Sequence, residues 1–343
     1  MAESARQAPA PRKTTNLALQ GGGSHGAFTW GVLDVLLEHE SIDFEGLSGT
    51  SAGAMNAVVL AHALAKAENE GAGGREAREA ARKALSRFWD GVGLMGTFAA
   101  GIPLPAAQAW ANLFTQWFSP AQVNPLGLNP LRSLLTREVD FDLLASQTRF
   151  KVFVAATNVR TGRGEIFTGE RLSADAVMAS ACLPTLFQPV QIGSEHYWDG
   201  GYSGNPSIYP LIYGTQSCDV VLVQINPIES AYTPGASAQE IMERVNEITF
   251  NAPLLAEIRA IEFVRRLLAE GRLDPARYKN VLLHRVDGGT ALAEFGAASK
   301  SRADSAFLRR LFELGRATGL KWLRAHLRDV GVRSSAEHTD SLS

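Results

Sequence analysis

Gly49-Thr50-Ser51-Ala52-Gly53 sets a serine between small residues where an apolar, strand-like run, Ile42 to Leu47, gives way to a helix-like one. This is the pattern of a strand-to-helix elbow that presents a serine as a nucleophile. A serine hydroxyl attacks poorly at neutral pH, so the chemistry needs a tight turn, an adjacent base and amides aimed at the developing negative charge. Glycines at the flanks leave room for that approach.

A second glycine-rich turn, Gly21-Gly22-Gly23-Ser24-His25-Gly26, lies upstream, after the apolar run Asn16 to Leu19 and before a helical pattern. Two strand-turn-helix units side by side point to an α/β fold. Consecutive glycines at a helix N-terminus expose backbone N–H groups, which bind either a phosphate or the oxyanion of an acyl-transfer intermediate. Nucleotide fingerprints fit poorly. The turn contains G-x-G-x-x-G, but the next acidic residues, Asp43 and Glu45, sit at the start of the following apolar run rather than at its end, and no Gly-Lys-Ser/Thr is present. With a serine elbow in the next unit, an oxyanion hole is the more economical assignment.

Trp198-Asp199-Gly200-Gly201 follows an alternating stretch, Leu186 to Trp198, that reads as paired strands. An aspartate before two glycines is ordinarily a turn residue, and here it is also a candidate base for Ser51. The order G-G-G-x-x-G, G-x-S-x-G, D-G-G resembles the patatin-like phospholipase family, as does Ala179-Ser180-Ala181-Cys182-Leu183-Pro184 ahead of the aspartate. The resemblance covers about residues 15 to 225. It implies a three-layer α/β/α sandwich with a mostly parallel central sheet. It also implies Ser51 as nucleophile and Asp199 as proton acceptor in a dyad without histidine, an oxyanion hole from the amides of Gly22, Gly23 and Ser24, and Gly21, Gly26, Gly49, Gly53, Gly200 and Gly201 as motif glycines. No metal or cofactor is implied. That family usually carries arginine or lysine after its glycines, where this chain has His25. If a charge on His25 serves catalysis, activity falls as pH rises through about 6.5.

The chemistry sets its own conditions. An aspartate of ordinary pKa about 3.9 is a weak base, so the dyad needs desolvation to raise that value and a helix N-terminus to favour the alkoxide. Ala52, Ala54 and Ala57 suit a helix packed closely under the sheet. Acylation of Ser51 would release an alcohol, and deacylation would use water activated by Asp199. The expected reaction is hydrolysis of carboxylic esters of phospholipids or other fatty acyl esters; acyl transfer shares the same intermediate.

Two other readings stand beside it. Ser51, Asp199 and His284 occur in the Ser, Asp, His order of an α/β-hydrolase triad, although only one strand-helix unit precedes the elbow and His284 follows the strand-like Val281-Leu282-Leu283. The chain could also be a non-catalytic lipid- or partner-binding module on the same fold, with the apolar 94–118 region as its contact surface.

Composition bounds the rest. The chain has 343 residues, 45% hydrophobic and 20% charged, enough to bury a large core, and its net charge of −2 offers no basic field for nucleic acid. Cys182 and Cys218 form no metal spacing and read as buried free thiols. The expected organisation is a disordered segment 1–15, a hydrolase domain 16–330, and a polar tail 331–343. Within the domain, 89–131 reads as an apolar, lid-like helical insertion and 238–330 as a C-terminal helical part. Glu240 to Arg272 is a long helical pattern in which Pro253 should start or kink a helix. Ser305 to Leu327 is amphipathic, with arginines along its polar face. A cytoplasmic location with peripheral contact to a membrane is expected; the oligomeric state is left open.

Overall fold

Leu17 and Leu19 go to one side of the first strand and Ala18 to the other, and in the seventh strand Val221 and Val223 part in the same way from Val220 and Leu222. This period of two puts apolar side chains on both faces, as a parallel sheet covered by helices on both sides requires. The computed structural model describes residues 12–100, 129–184, 187–229, 233, 235 and 237–336. Its elements are β1 Lys13–Leu19, α1 Gly26–Glu38, β2 Ile42–Gly49, α2 Ala52–Asn69, α3 Gly74–Ala100, α4 Pro130–Glu138, α5 Phe141–Ser146, β3 Lys151–Asn158, β4 Gly164–Phe167 and α6 Ala174–Ser180. There follow β5 Val190–Ile192, β6 Glu195–Asp199, α7 Tyr209–Gly214, β7 Asp219–Gln224, α8 Ala238–Ala269, β8 Leu282–Asp287, α9 Gly289–Ala293 and α10 Ser305–His326.

The strands form one sheet in the order β5-β6-β3-β2-β1-β7-β8, with β4 also paired to β3. Pairs β3/β2, β2/β1, β1/β7 and β7/β8 are parallel, whereas β4, β6 and β5 add antiparallel. One face packs on α1, α2, α3 and α10 through Phe28, Val32, Val58, Phe88 and Leu311. The other is covered by Leu211 of α7 and by Leu254, Ile258 and Ile261 of α8. Family resemblance and fold agree: this is the expected α/β/α sandwich with a mostly parallel sheet.

Several boundaries differ from the sequence reading. β1 begins at Lys13, inside the segment expected to be disordered, because Lys13 and Thr14 pair with Ile42 and Asp43 and the Lys13 ammonium donates to the carbonyls of Leu327 (3.0 Å) and Val330 (2.6 Å). Residues 331–336 of the expected tail are likewise docked: Gly331 N–H donates to Asp219 (2.7 Å) and Ser335 N–H to the Leu283 carbonyl (3.1 Å). Helix α3 continues past Trp89, which is buried with its indole N–H on Asn56 (2.9 Å), so the expected insertion does not begin there. The remainder of that insertion, 101–128, lies outside the described residues, and so does most of the surface expected for a lid.

α8 runs through Pro253 without a break, since burial of Leu254, Ile258 and Ile261 outweighs the hydrogen bond to Thr249 that proline forfeits. Three arginines of α10 are engaged within the fold: Arg309 with Asp90 (2.9 Å), Arg310 with Glu294 (3.4 Å), and Arg316 with Asp34 and Glu38. Cys182 is buried as expected, whereas Cys218 is only half-buried.

Candidate active site

The register Leu19↔Gly49↔Val154 brings the C-terminal ends of β1 and β2 level, while β3 runs on beyond Val154 to Asn158. From β1 the strand order runs to β2 and β3 on one side and to β7 and β8 on the other. The region beyond the carboxyl ends at this switch point is the usual ligand position in an open α/β sheet. The glycine turn after β1 and the serine turn after β2 both lie at this end of the sheet. They touch: a Cβ on Gly21 would lie 2.6 Å from the Thr50 carbonyl and 2.8 Å from Ser51 Cβ, so a residue without a side chain is required.

Ser51 takes φ 54°, ψ −122°, left-handed territory for a residue with a Cβ, and this costs about 1–3 kcal/mol that the surroundings must hold in place. Its N–H donates to the Ser180 hydroxyl (2.9 Å), and Thr50 donates from its hydroxyl to the Gly204 carbonyl (2.6 Å). α2 begins at the next residue, and its buried Ala52, Ala54 and Ala57 pack under the sheet as their size predicts. Gly49 closes β2; Gly53 and Gly26 lie in the first turns of α2 and α1.

Asp199 ends β6, opposite Ala156, and is 2% exposed. Its carboxylate accepts from Gly201 N–H (2.7 Å) and from the Ser51 side chain. Burial pushes its pKa up to about 7, although both hydrogen bonds pull the other way. Its own N–H donates to the Cys182 carbonyl (2.8 Å). The last residue of α6 and the turn after it thus hold both backbones, Ser51 through Ser180 and Asp199 through Cys182. Burial, reinforced by the charge of Asp199, pushes the Cys182 thiol up to about 11, and its Sγ–H is spent on the Gln188 carbonyl (3.0 Å). Tyr202 stands beyond Gly200 and Gly201, edge-on to Phe250 with ring centres 5.0 Å apart.

Among the described residues, the N–H groups of Gly22, Gly23 and Ser24 have no protein acceptor; His25 N–H closes the turn on the Gly22 carbonyl (3.2 Å). Buried amides pin the turn from behind. Gly21 N–H donates to Asn205 Oδ1 (2.7 Å), and the Gly21 carbonyl accepts from Asn226 Nδ2 (2.7 Å). Gln20 Oε1 takes the N–H groups of Ile225 and Asn226 (both 2.8 Å), and Gln20 Nε2 donates to Asn251 Oδ1 (3.1 Å). Sequence reading passed over Gln20, Asn205, Asn226 and Asn251, since nothing local marks a loop amide as buried. Ser180 stood inside a quoted block, but its partner is 129 positions away.

The structure does not bring the two highlighted histidines to Ser51. His25 is buried with its ring on Ser299 (2.7 Å), and burial followed by the charge of Lys300 pushes it down to about 4, so it carries no charge near neutral pH. His284 sits between Asp219 (2.8 Å) and Ser335 (2.9 Å), and Asp219 opens β7 at the end of the sheet opposite the elbow. The chain Asp219–His284–Ser335 resembles a triad, yet the N–H groups of Ser335 and of the next residue, Ala336, are both spent on the Leu283 carbonyl and offer nothing to an oxyanion. The triad reading is set aside on this geometry.

Among the described residues, no group of three or more His, Cys, Asp or Glu could hold a metal, and no helix is long and apolar enough to cross a membrane.

A model of the family described as patatin-like phospholipase matches residues 17–212, more than half of the chain. No curated protein sequence matches it. Among solved structures it is similar to VipD from Legionella pneumophila, at 17% identity and a TM-score of 0.38, covering 92% of this chain and 68% of that one. It is also similar to the complex of full-length ExoU with SpcU from the type III secretion system of Pseudomonas aeruginosa, at 14% identity and a TM-score of 0.29, covering 88% of this chain and 53% of that one. The chain therefore spans about two thirds of the first and about half of the second.

Proposed function

The chain belongs to the patatin-like phospholipase family, and from that membership we propose that it hydrolyses carboxylic ester bonds of lipids through Ser51 and Asp199. Lipid acyl hydrolysis is the activity class of the family; the dyad and its steps are our assignment. The observation that carries it is a carboxylate buried against the Ser51 side chain with its pKa lifted to about 7, where it both exists ionised and accepts a proton usefully at working pH.

Ser51 Oγ attacks the acyl carbonyl as Asp199 takes the hydroxyl proton. The carbonyl oxygen becomes an oxyanion and is received by the free N–H groups of Gly22, Gly23 and Ser24, ahead of α1. Collapse breaks the ester C–O bond, and the departing alcohol leaves with the proton held by Asp199. Water then gives a proton to Asp199 and attacks the acyl-serine through a second oxyanion, and the carboxylic acid departs as Ser51 recovers its proton.

Release of p-nitrophenol from esters of increasing chain length, with EDTA present, tests the reading. Wild type should turn over, while Ser51→Ala and Asp199→Asn should lose about a thousandfold or more. An inactive, folded wild type that binds liposomes would transfer the assignment to the binding module.

A further inference from the structure

The family match stops at residue 212, yet the glycine turn is backed by a segment 274 positions beyond His25. We propose that Ser299 is a positioning residue for the oxyanion turn, acting through the ring of His25. The proposal rests on the hydrolase reading and concerns the same site.

The Ser299 hydroxyl donates to the Gly296 carbonyl at 2.8 Å, so the contact with His25 at 2.7 Å is His25 Nε2–H donating to Ser299 Oγ. That fixes the tautomer, with the buried Nδ1 as a lone pair that has no partner among the described residues. Held neutral by burial, the ring acts as a strut rather than as a charge.

The same segment, Ala297–Ser301, bears on the turn a second time. Gly23 has φ +58°, and a Cβ there would strike the Lys300 carbonyl. Ser24 is thus braced on both sides, by the Lys300 carbonyl against Gly23 and by Ser299 through His25. The two contacts fix the direction of the free amides at Gly22, Gly23 and Ser24. Donors that are already aimed lower the energy of the oxyanion more than that of the bound ester, so loosening them should slow turnover and leave substrate binding alone.

The test measures kcat, KM and Tm with a soluble short-chain p-nitrophenyl ester for wild type, Ser299→Ala, Ser299→Thr, His25→Phe and the Ser299→Ala/His25→Phe pair. Ser299→Ala should lower kcat about tenfold with KM changed less than twofold, the loss expected for one buried hydrogen bond. Ser299→Thr, which keeps the acceptor, should restore kcat, and the pair should be no slower than His25→Phe alone. A folded Ser299→Ala with kcat within twofold of wild type overturns the proposal. So does a kcat loss that Thr fails to restore, or losses that multiply in the pair. An inactive wild type would instead overturn the hydrolase reading, and this is seen before any variant is compared.

Discussion

The backbone N–H of Ser51 ends on the hydroxyl of Ser180, 2.9 Å away, and Ser180 is fully buried. The amide of Ser51 is therefore not free to serve an oxyanion; it is the tether that holds a strained φ. Ser180→Ala leaves that N–H without its acceptor, a loss of about 1–3 kcal/mol. We expect kcat to fall about tenfold to a hundredfold in a protein that still melts cooperatively. A folded variant with wild-type kcat would remove Ser180 from this role.

Activity should depend on the ionisation of Asp199. With its pKa pushed up to about 7, kcat/KM should rise as pH climbs through about 7 and flatten above it. His25, lowered to about 4, adds no step between pH 5 and 9. A profile measured over that range with the short ester, flat down to pH 5, would show that Asp199 is not the lifted base.

The same burial sets a stability cost. The folded pKa of Asp199 lies above the ordinary 3.8, so its contribution is fully present below 3.8, is lost as pH rises towards about 7, and stays lost beyond. Asp199→Asn should accordingly be inactive yet melt a few degrees higher than wild type at pH 8.5, with the gap closing towards pH 4. Equal Tm values at pH 8.5 would contradict an ionised carboxylate held out of water.

His284 supplies the contrast. Its Ala variant leaves Asp219 with the Gly331 N–H but without the imidazole, and opens a hole beside Trp322. Tm should drop by several degrees, while kcat per folded molecule stays within about threefold of wild type. Loss of turnover in a folded His284→Ala, equal to that of Ser51→Ala, would restore the triad.

What the sequence made legible is local. The glycine turn, the elbow and the D-G-G turn each declare themselves within six residues, and the strand-turn-helix rhythm around them is enough for the α/β class. Contacts between distant residues carried no such mark. Gln20 gives no hint that it meets Asn226 and Asn251, and whether His25 carries a charge at the site was open in the sequence, whereas burial against Ser299 keeps it neutral. Pro253 pointed to a helix start or a kink, and α8 does not start there, because the core side chains after it carry the helix on. Lys13 looked like part of a loose end, yet three carbonyls after α10 receive its ammonium.

β7 lies directly against β1, and the chain reaches β7 only after residue 212, where the family match has already ended. The matched stretch is thus not a transplantable unit. Cut there, β1 would lose its neighbour at Asn16 to Leu19 and become an open, apolar edge, the kind of surface on which chains stack onto one another. The cut would also strip Asn226 from Gly21. Whoever trims this protein to its recognisable motifs should expect a sticky fragment whose glycine turn has lost its footing, and a fusion or minimal design would have to carry the chain at least through β8.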